Sequence, residues 1–267
     1  MATFRFYGDL NDFLPIEKRE VDFAYPFTEP QSVKHLIEAA GVPHPEVELI
    51  LVNGLPVDFG YMVQEGDAIA VYPLSTLPER MPQMEASLLR PSLPRPACFI
   101  LDIHLGQLAR YLRLLGFDTL YPDHHHDDGE LAQLAAADNR ILLTRDRGLL
   151  KRSMVTYGYC LRTPDPRQQL TAVLTRYDLF DDIQQTPRCL RCNGELRPVP
   201  KADIEHRLEP KTKAFYHEFH MCQACSQIYW QGSHYDQIQQ FIQQVQQEVA
   251  ARRARKNAHS EAVGGAQ

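Results

Sequence analysis

The chain has 267 residues, 44% of them hydrophobic and 23% charged, with a formal net charge of −6. That length fits two or three domains, and the composition is ordinary for a globular protein. No apolar run approaches the roughly 20 residues of a membrane helix, and the opening MATFRFYGDL lacks the apolar core of a signal peptide, so a cytoplasmic protein with no membrane partner is expected.

Charge is distributed unevenly. Residues 1–74 hold 4 basic and 12 acidic side chains, net −8; residues 75–182 are near balance at −1; residues 183–267 reach +3. An acidic module is a poor ligand for nucleic acid, so a polyanion should favour the later two thirds.

In chain order, ATFRFYG alternates as a strand and REVDFAY is a second candidate. In SVKHLIEAAGVP, Val33, Leu36, Ile37 and Ala40 fall on one helical face, with Ser32 as N-cap and Gly41 as the stop. ELILVNGLPV reads as a hairpin turning at Asn53-Gly54, and GDAIAVYPL as a closing strand. These elements predict a small α+β domain over 1–74. Five prolines in 75–96 predict a linker that spaces this domain from the rest.

A second module begins with the apolar strand ending at Asp102. It continues with a helix carrying Leu105, Leu108, Ala109, Leu112 and Leu115, then strand FDTLY, helix DDGELAQLAAAD, strand RILLT, strand MVTYGYCL and a helix from Pro166. The alternation predicts an α/β fold with a parallel sheet over 97–182. A cysteine-bearing module at 183–238 and an amphipathic helix with a disordered tail at 239–267 complete the chain.

In an open parallel sheet, ligands bind beyond the carboxyl ends of the strands. Asp102 and Asp146 follow two strand ends, and Asp127, Asp128 and Glu130 begin the helix feeding the second strand, so these acids should converge at one edge. Gathered carboxylates repel unless a cation lies between them, and an all-oxygen set suits Mg²⁺ or Mn²⁺. Asp127 with Glu130 also fits a capping box. Arg145, Arg147, Arg110 and Arg113 are candidate phosphate contacts. His124, His125 and His126 read as an exposed loop. An aspartyl-phosphate mechanism would want a second acid two residues after Asp102, where His104 stands.

Cys189-x-x-Cys192 and Cys222-x-x-Cys225 have the spacing of paired metal knuckles, and four thiolates make a closed structural zinc site. The 29 residues between the pairs are expected to form a long hairpin. Cys98 and Cys160 read as buried strand cysteines. Trp230, Ser233 and His234 follow the second knuckle, with His234 a candidate for phosphate binding or proton transfer.

FILDIHLGQLARYLRLLGFDTLY, DDGELAQLAAADNRILLTRDRGLL, both knuckles and YWQGSH together resemble the PIN-like RNase family named for the C-terminal domain of the Mut-seven nuclease, over roughly residues 97–238. The resemblance implies a PIN-like sheet with an attached zinc ribbon, and metal-dependent RNA cleavage by Asp102, Asp128 and Asp146, with Glu130 or Asp127 as further members. VNGLPVDFGYMVQEGDAIAVYPL resembles the ubiquitin-like β-grasp of the ThiS and MoaD sulfur carriers, without their terminal glycine pair at Leu74. A binding or regulatory role for a protein partner is expected there. The lead expectation is a divalent-metal-dependent ribonuclease; the rival is a non-catalytic RNA- or ribosome-associated adaptor whose acids are vestigial and whose β-grasp module recruits a partner.

Overall fold

The computed structural model describes residues 1–77, 88–122, 127–184, 186–230, 240, 241, 243, 244 and 247. The histidine run 124–126, Ser233, His234 and most of the expected C-terminal helix lie outside the described residues.

The first sheet is built from β1 (Ala2–Phe6), β2 (Phe23–Tyr25), β3 (Leu49–Val52), β4 (Leu55–Pro56) and β5 (Ala68–Tyr72) in the order β2-β1-β5-β3-β4, with helix α1 (Val33–Ala39). β1 and β5 pair in parallel and the other neighbours are antiparallel. Alternation along β1 buries Ala2, Phe4 and Phe6. Ser32 Oγ accepts the His35 N–H at 3.3 Å, capping α1. Asn53 and Gly54 both adopt positive φ, 52° and 83°, which matches the twist of the flanking strands.

The second sheet comprises β6 (Phe99–Leu101), β7 (Thr119–Leu120), β8 (Ile141–Thr144) and β9 (Gly158–Cys160), in the order β7-β6-β8-β9. Helices α2 (Gly106–Leu114), α3 (Asp128–Ala137), α4 (Arg147–Leu150) and α5 (Pro166–Arg176) punctuate and follow them. β6, β8 and β9 run parallel, and every residue of all three is buried, which is why these strands read as continuous apolar runs. The chain leaves β6 for β7 on one side and returns to β8 on the other. The strand order therefore reverses between β6 and β8, the position where open α/β sheets bind ligands.

The third sheet, β10 (Leu196–Val199), β11 (Phe219–Cys222) and β12 (Ile228–Tyr229), is antiparallel. The segment between β10 and β11 is not a simple hairpin: it holds α6 (Lys201–Ile204) and α7 (Pro210–Phe215).

Packing divides the chain into two units, Met1–Gly106 with Leu120–Pro164, and Gln107–Thr119 with the described part of Asp165–Gln267. The first unit corrects the expectation that the proline-rich segment spaces the N-terminal module from the second sheet. Phe4, Phe6 and Val71 belong to the same buried cluster as Ile100, Leu142, Leu149 and Leu150. His44 lies between Glu38 (2.7 Å) and the Val155 carbonyl (2.7 Å). Arg90, in the proline-rich segment itself, donates to the Pro45 and Val47 carbonyls and to Glu48, and the Tyr157 hydroxyl donates to the Pro91 and Ser92 carbonyls. No helix among the described residues is long and apolar enough to cross a membrane.

Glu46 is wholly buried and accepts the Cys160 N–H at 2.6 Å, with Arg162 at 3.8 Å. Glu46→Ala leaves that N–H without its acceptor and should cost on the order of 1–3 kcal/mol, read as a lower urea midpoint. An unchanged midpoint would contradict a continuous packed junction.

Candidate active site and metal centre

The parallel register sets Leu101 opposite Leu143, so the residues beyond each strand leave the sheet side by side. Asp102 N–H donates to the Leu143 carbonyl at 3.0 Å, extending the pairing one residue past β6. Thr144 is buried, donates its hydroxyl to Asp102 Oδ2 at 2.8 Å and accepts the Asp146 N–H at 2.9 Å. One hydroxyl thus ties the two acids together. Each carboxylate also caps the turn that follows it: Asp102 Oδ1 accepts the Ile103 N–H at 2.6 Å, and Asp146 Oδ1 accepts the Gly148 N–H at 2.6 Å. A carboxylate has about four lone-pair sites, so both retain acceptor capacity.

A cavity of about 680 Å³ opens here, with Asp102, Asp128, Asp146, His104, Arg145 and Arg147 among its lining residues. Arg145 is exposed, and among the described residues no acceptor holds its guanidinium. Asp128 stands at the first position of α3. Asp127 and Glu130 form the capping box that starts this helix. Asp127 Oδ1 accepts the N–H groups of Gly129 (2.7 Å) and Glu130 (2.9 Å), and Glu130 Oε2 accepts the Asp127 N–H (3.2 Å).

The convergence expected of the acids is to one cavity rather than to one ion-sized cluster. Among the described residues, the four cysteines are the only group of three or more His, Cys, Asp or Glu side chains drawn together closely enough to hold a single ion. Their four Sγ atoms all lie within 4.8 Å of one another, with Cys189–Cys225 at 3.5 Å and Cys192–Cys222 at 3.4 Å. A tetrahedral Zn–S distance of about 2.3 Å implies sulfur–sulfur edges of about 3.8 Å, so the cluster fits zinc.

The two knuckles repeat one design. The N–H of Asn193 donates to the Cys189 carbonyl (2.8 Å), and that of Ser226 to the Cys222 carbonyl (3.0 Å). Both residues take a positive φ, 68° and 57°. Gly194 permits the close approach: a Cβ there would meet Cys222 Sγ at 3.0 Å and Cys192 Sγ at 3.4 Å. Burial pushes the Cys189 thiol up, but the Tyr229 hydroxyl at 3.1 Å and backbone N–H groups outweigh it and bring it down to about 6. Burial, aided by contacts with the other thiols, pushes Cys192 up to about 12. Four clustered thiols resist becoming four thiolates without a cation between them, and a bound metal reverses that.

Arg113 differs from its expected role. It is 5% exposed, and its guanidinium donates to the carbonyls of Thr119 (2.9 Å), Leu190 (3.0 Å) and Arg191 (3.4 Å), anchoring α2 to the first knuckle. Burial lowers its pKa, and Cys189 and Cys192 oppose that shift. Arg110 is exposed on α2. Trp230 lies against Tyr216 and Phe219 within its own module. Thr144, Gly194 and Tyr229 were not singled out from sequence. The position of Gly194 two residues after a knuckle cysteine is the one signal that could have found it.

Comparison with protein families matches residues 97–242 to the Mut7-C RNAse domain and residues 1–77 to Mut7-C ubiquitin. Neither the curated proteins nor the solved structures give a significant match. The chain therefore carries an RNase-type domain after a ubiquitin-like module, with a four-cysteine group able to hold a metal such as zinc.

Purified protein should carry one zinc per chain, and Cys189→Ser should lose it while lowering the unfolding midpoint, measured by elemental analysis and thermal melting. Full stability of the metal-stripped protein would contradict a structural role for the cluster.

Proposed function

This chain belongs to the Mut7-C RNAse domain family, and on that footing we propose that it is a divalent-metal-dependent ribonuclease hydrolysing RNA phosphodiesters at the cavity where β6 and β8 end. The observation that carries this reading is the Thr144 hydroxyl joining Asp102 and Asp146 at adjacent parallel strand ends, with Asp128 lining the same cavity.

Asp102, Asp146 and Asp128 would hold Mg²⁺ or Mn²⁺. The donor set is all oxygen, and Mg²⁺ keeps several waters and needs only one or two carboxylates from the protein, so a preformed cage is not required. When bound, such an ion neutralises phosphate charge and makes water a better nucleophile. The chain's own residues do the positioning. Thr144 fixes the Asp102 carboxylate and the main chain of Asp146, so neither has to be ordered when substrate arrives. Arg145, which no acceptor holds among the described residues, offers its guanidinium to a phosphate, a planar fork suited to two of its oxygens. His104 lines the cavity and can carry a proton toward the leaving oxygen. The zinc-binding module would order the chain after α5 and contribute to holding RNA, and Arg110 and His234 remain candidate contacts. A protein partner for the ubiquitin-like module belongs to the same reading, as does a cytoplasmic setting.

The test is cleavage of end-labelled RNAs with Mn²⁺, with Mg²⁺ or with EDTA. Wild type should cut only with metal. Asp146→Asn should lose at least about 100-fold in rate, and Thr144→Val about 10–100-fold. RNA binding without turnover, indifferent to Asp102→Asn and Asp146→Asn, would instead make the protein a non-catalytic RNA adaptor.

A further inference from the structure

Arg147 immediately follows Asp146 and lines the cavity, yet it is held from the N-terminal module. Its Nη1 donates to the Phe13 carbonyl at 3.2 Å and its Nη2 to the Asp12 carbonyl at 3.4 Å, and the guanidinium sits 5.0 Å from the centre of the Phe13 ring. Phe13 closes a short 3-10 turn, Gly8–Phe13, and is 4% exposed. Arg162 contacts the same ring at 4.7 Å. It is fixed in turn by Asp9 (3.4 Å), Asp12 (3.2 Å), Glu46 (3.8 Å) and the Asp9 carbonyl (3.1 Å). One aromatic ring therefore lies against two guanidinium groups, and both reach it from the RNase-type domain.

We infer that the ubiquitin-like module is a working part of the nuclease site, with Phe13 and the Asp12–Phe13 carbonyls positioning Arg147 to bind a substrate phosphate at the cavity. The inference rests on the reading of that cavity as a site of RNA cleavage. A guanidinium carries five N–H donors in a fixed fork. Two are engaged by carbonyls, which leaves the others for an anion while the long side chain is already ordered. An unheld arginine would lose that rotamer freedom only when substrate bound. The arrangement also answers a difficulty of charge. Residues 1–74 are net −8 and should repel RNA, but Arg162 lies among Asp9, Asp12 and Glu46 and Arg147 lies beside them, so two guanidinium groups offset part of the negative charge nearest this turn.

Arg147 would thus touch substrate, and Phe13 would act through Arg147. The two roles separate in a double-mutant cycle on the full-length protein, using Phe13→Leu, which keeps apolar volume and removes the ring face, Arg147→Ala, and the pair. Phe13→Leu should raise KM for RNA about 2–5-fold with kcat nearly unchanged, the size expected for losing one cation–π contact. In the Arg147→Ala background the same change should add nothing. Arg147→Lys keeps the charge without the fork, should shift KM in the same direction, and serves as the readout if Phe13→Leu folds poorly. The cycle is repeated as RNA affinity in the Asp146→Asn protein, where no turnover is needed. Coupling in affinity without wild-type cleavage overturns the nuclease reading and leaves the positioning intact. Equal effects of Phe13→Leu in both Arg147 backgrounds, or a KM and affinity indifferent to Arg147→Lys, overturn the positioning, as does absence of RNA binding by the wild type.

Discussion

The hydroxyl of Thr144 is the contact on which the candidate site depends. It faces two ways, donating to the Asp102 carboxylate and accepting from the Asp146 main chain. It can do so because β6 and β8 are parallel neighbours in register, so the residues past their ends are already adjacent. A parallel sheet buried on both faces is rigid. Its strand ends fix the origin of a side chain far better than a surface loop, and a buried hydroxyl shared between the two ends removes the remaining freedom. The strand order reverses between these same two strands, the position where open α/β sheets bind ligands, and the cavity is lined by the residues just past their ends.

The second dependency is the packing of the first unit. Burial of β1 and β5 against the core that includes β8 and α4 makes the N-terminal module structural rather than appended. The polar contacts at that junction are specific: a wholly buried carboxylate receives a backbone N–H of β9, and Lys151 donates to the Glu38 carbonyl at 2.6 Å. Two bodies on a free linker would leave these groups to water. Here desolvation makes each unmade bond costly, which keeps α4, and Arg147 at its start, in one place.

Much of this was legible in the sequence where a local signal has one physical cause. The apolar run Ile141–Leu143 announces a strand buried on both faces. Ser32 and Gly41 mark the ends of a helix, Asn53-Gly54 marks a hairpin, and two C-x-x-C pairs mark one four-cysteine group able to hold a metal. The packing of the proline-rich segment is not legible, because proline density reports only the absence of regular structure. It says nothing about whether the chain lies against a surface, as Arg90 and Pro91 do. Arg113 and Arg110 flank the same helical stripe, and only the fold shows that Arg113 meets three carbonyls while Arg110 stays exposed. Helices α6 and α7, of four and six residues, are too short for a periodic pattern to be read. Thr144 ends its strand as many threonines do, and its role exists only once the partner strand is in register.

The paired ends of β6 and β8 are proposed as a site for a hard divalent ion. Anomalous diffraction from crystals of the full-length protein soaked in Mn²⁺ would locate such an ion. A manganese peak is expected against the carboxylates of Asp102 and Asp146 in the wild type, with its loss or a marked fall in its occupancy in Thr144→Val. Manganese bound only elsewhere, at a concentration that supports RNA cleavage, would contradict that site.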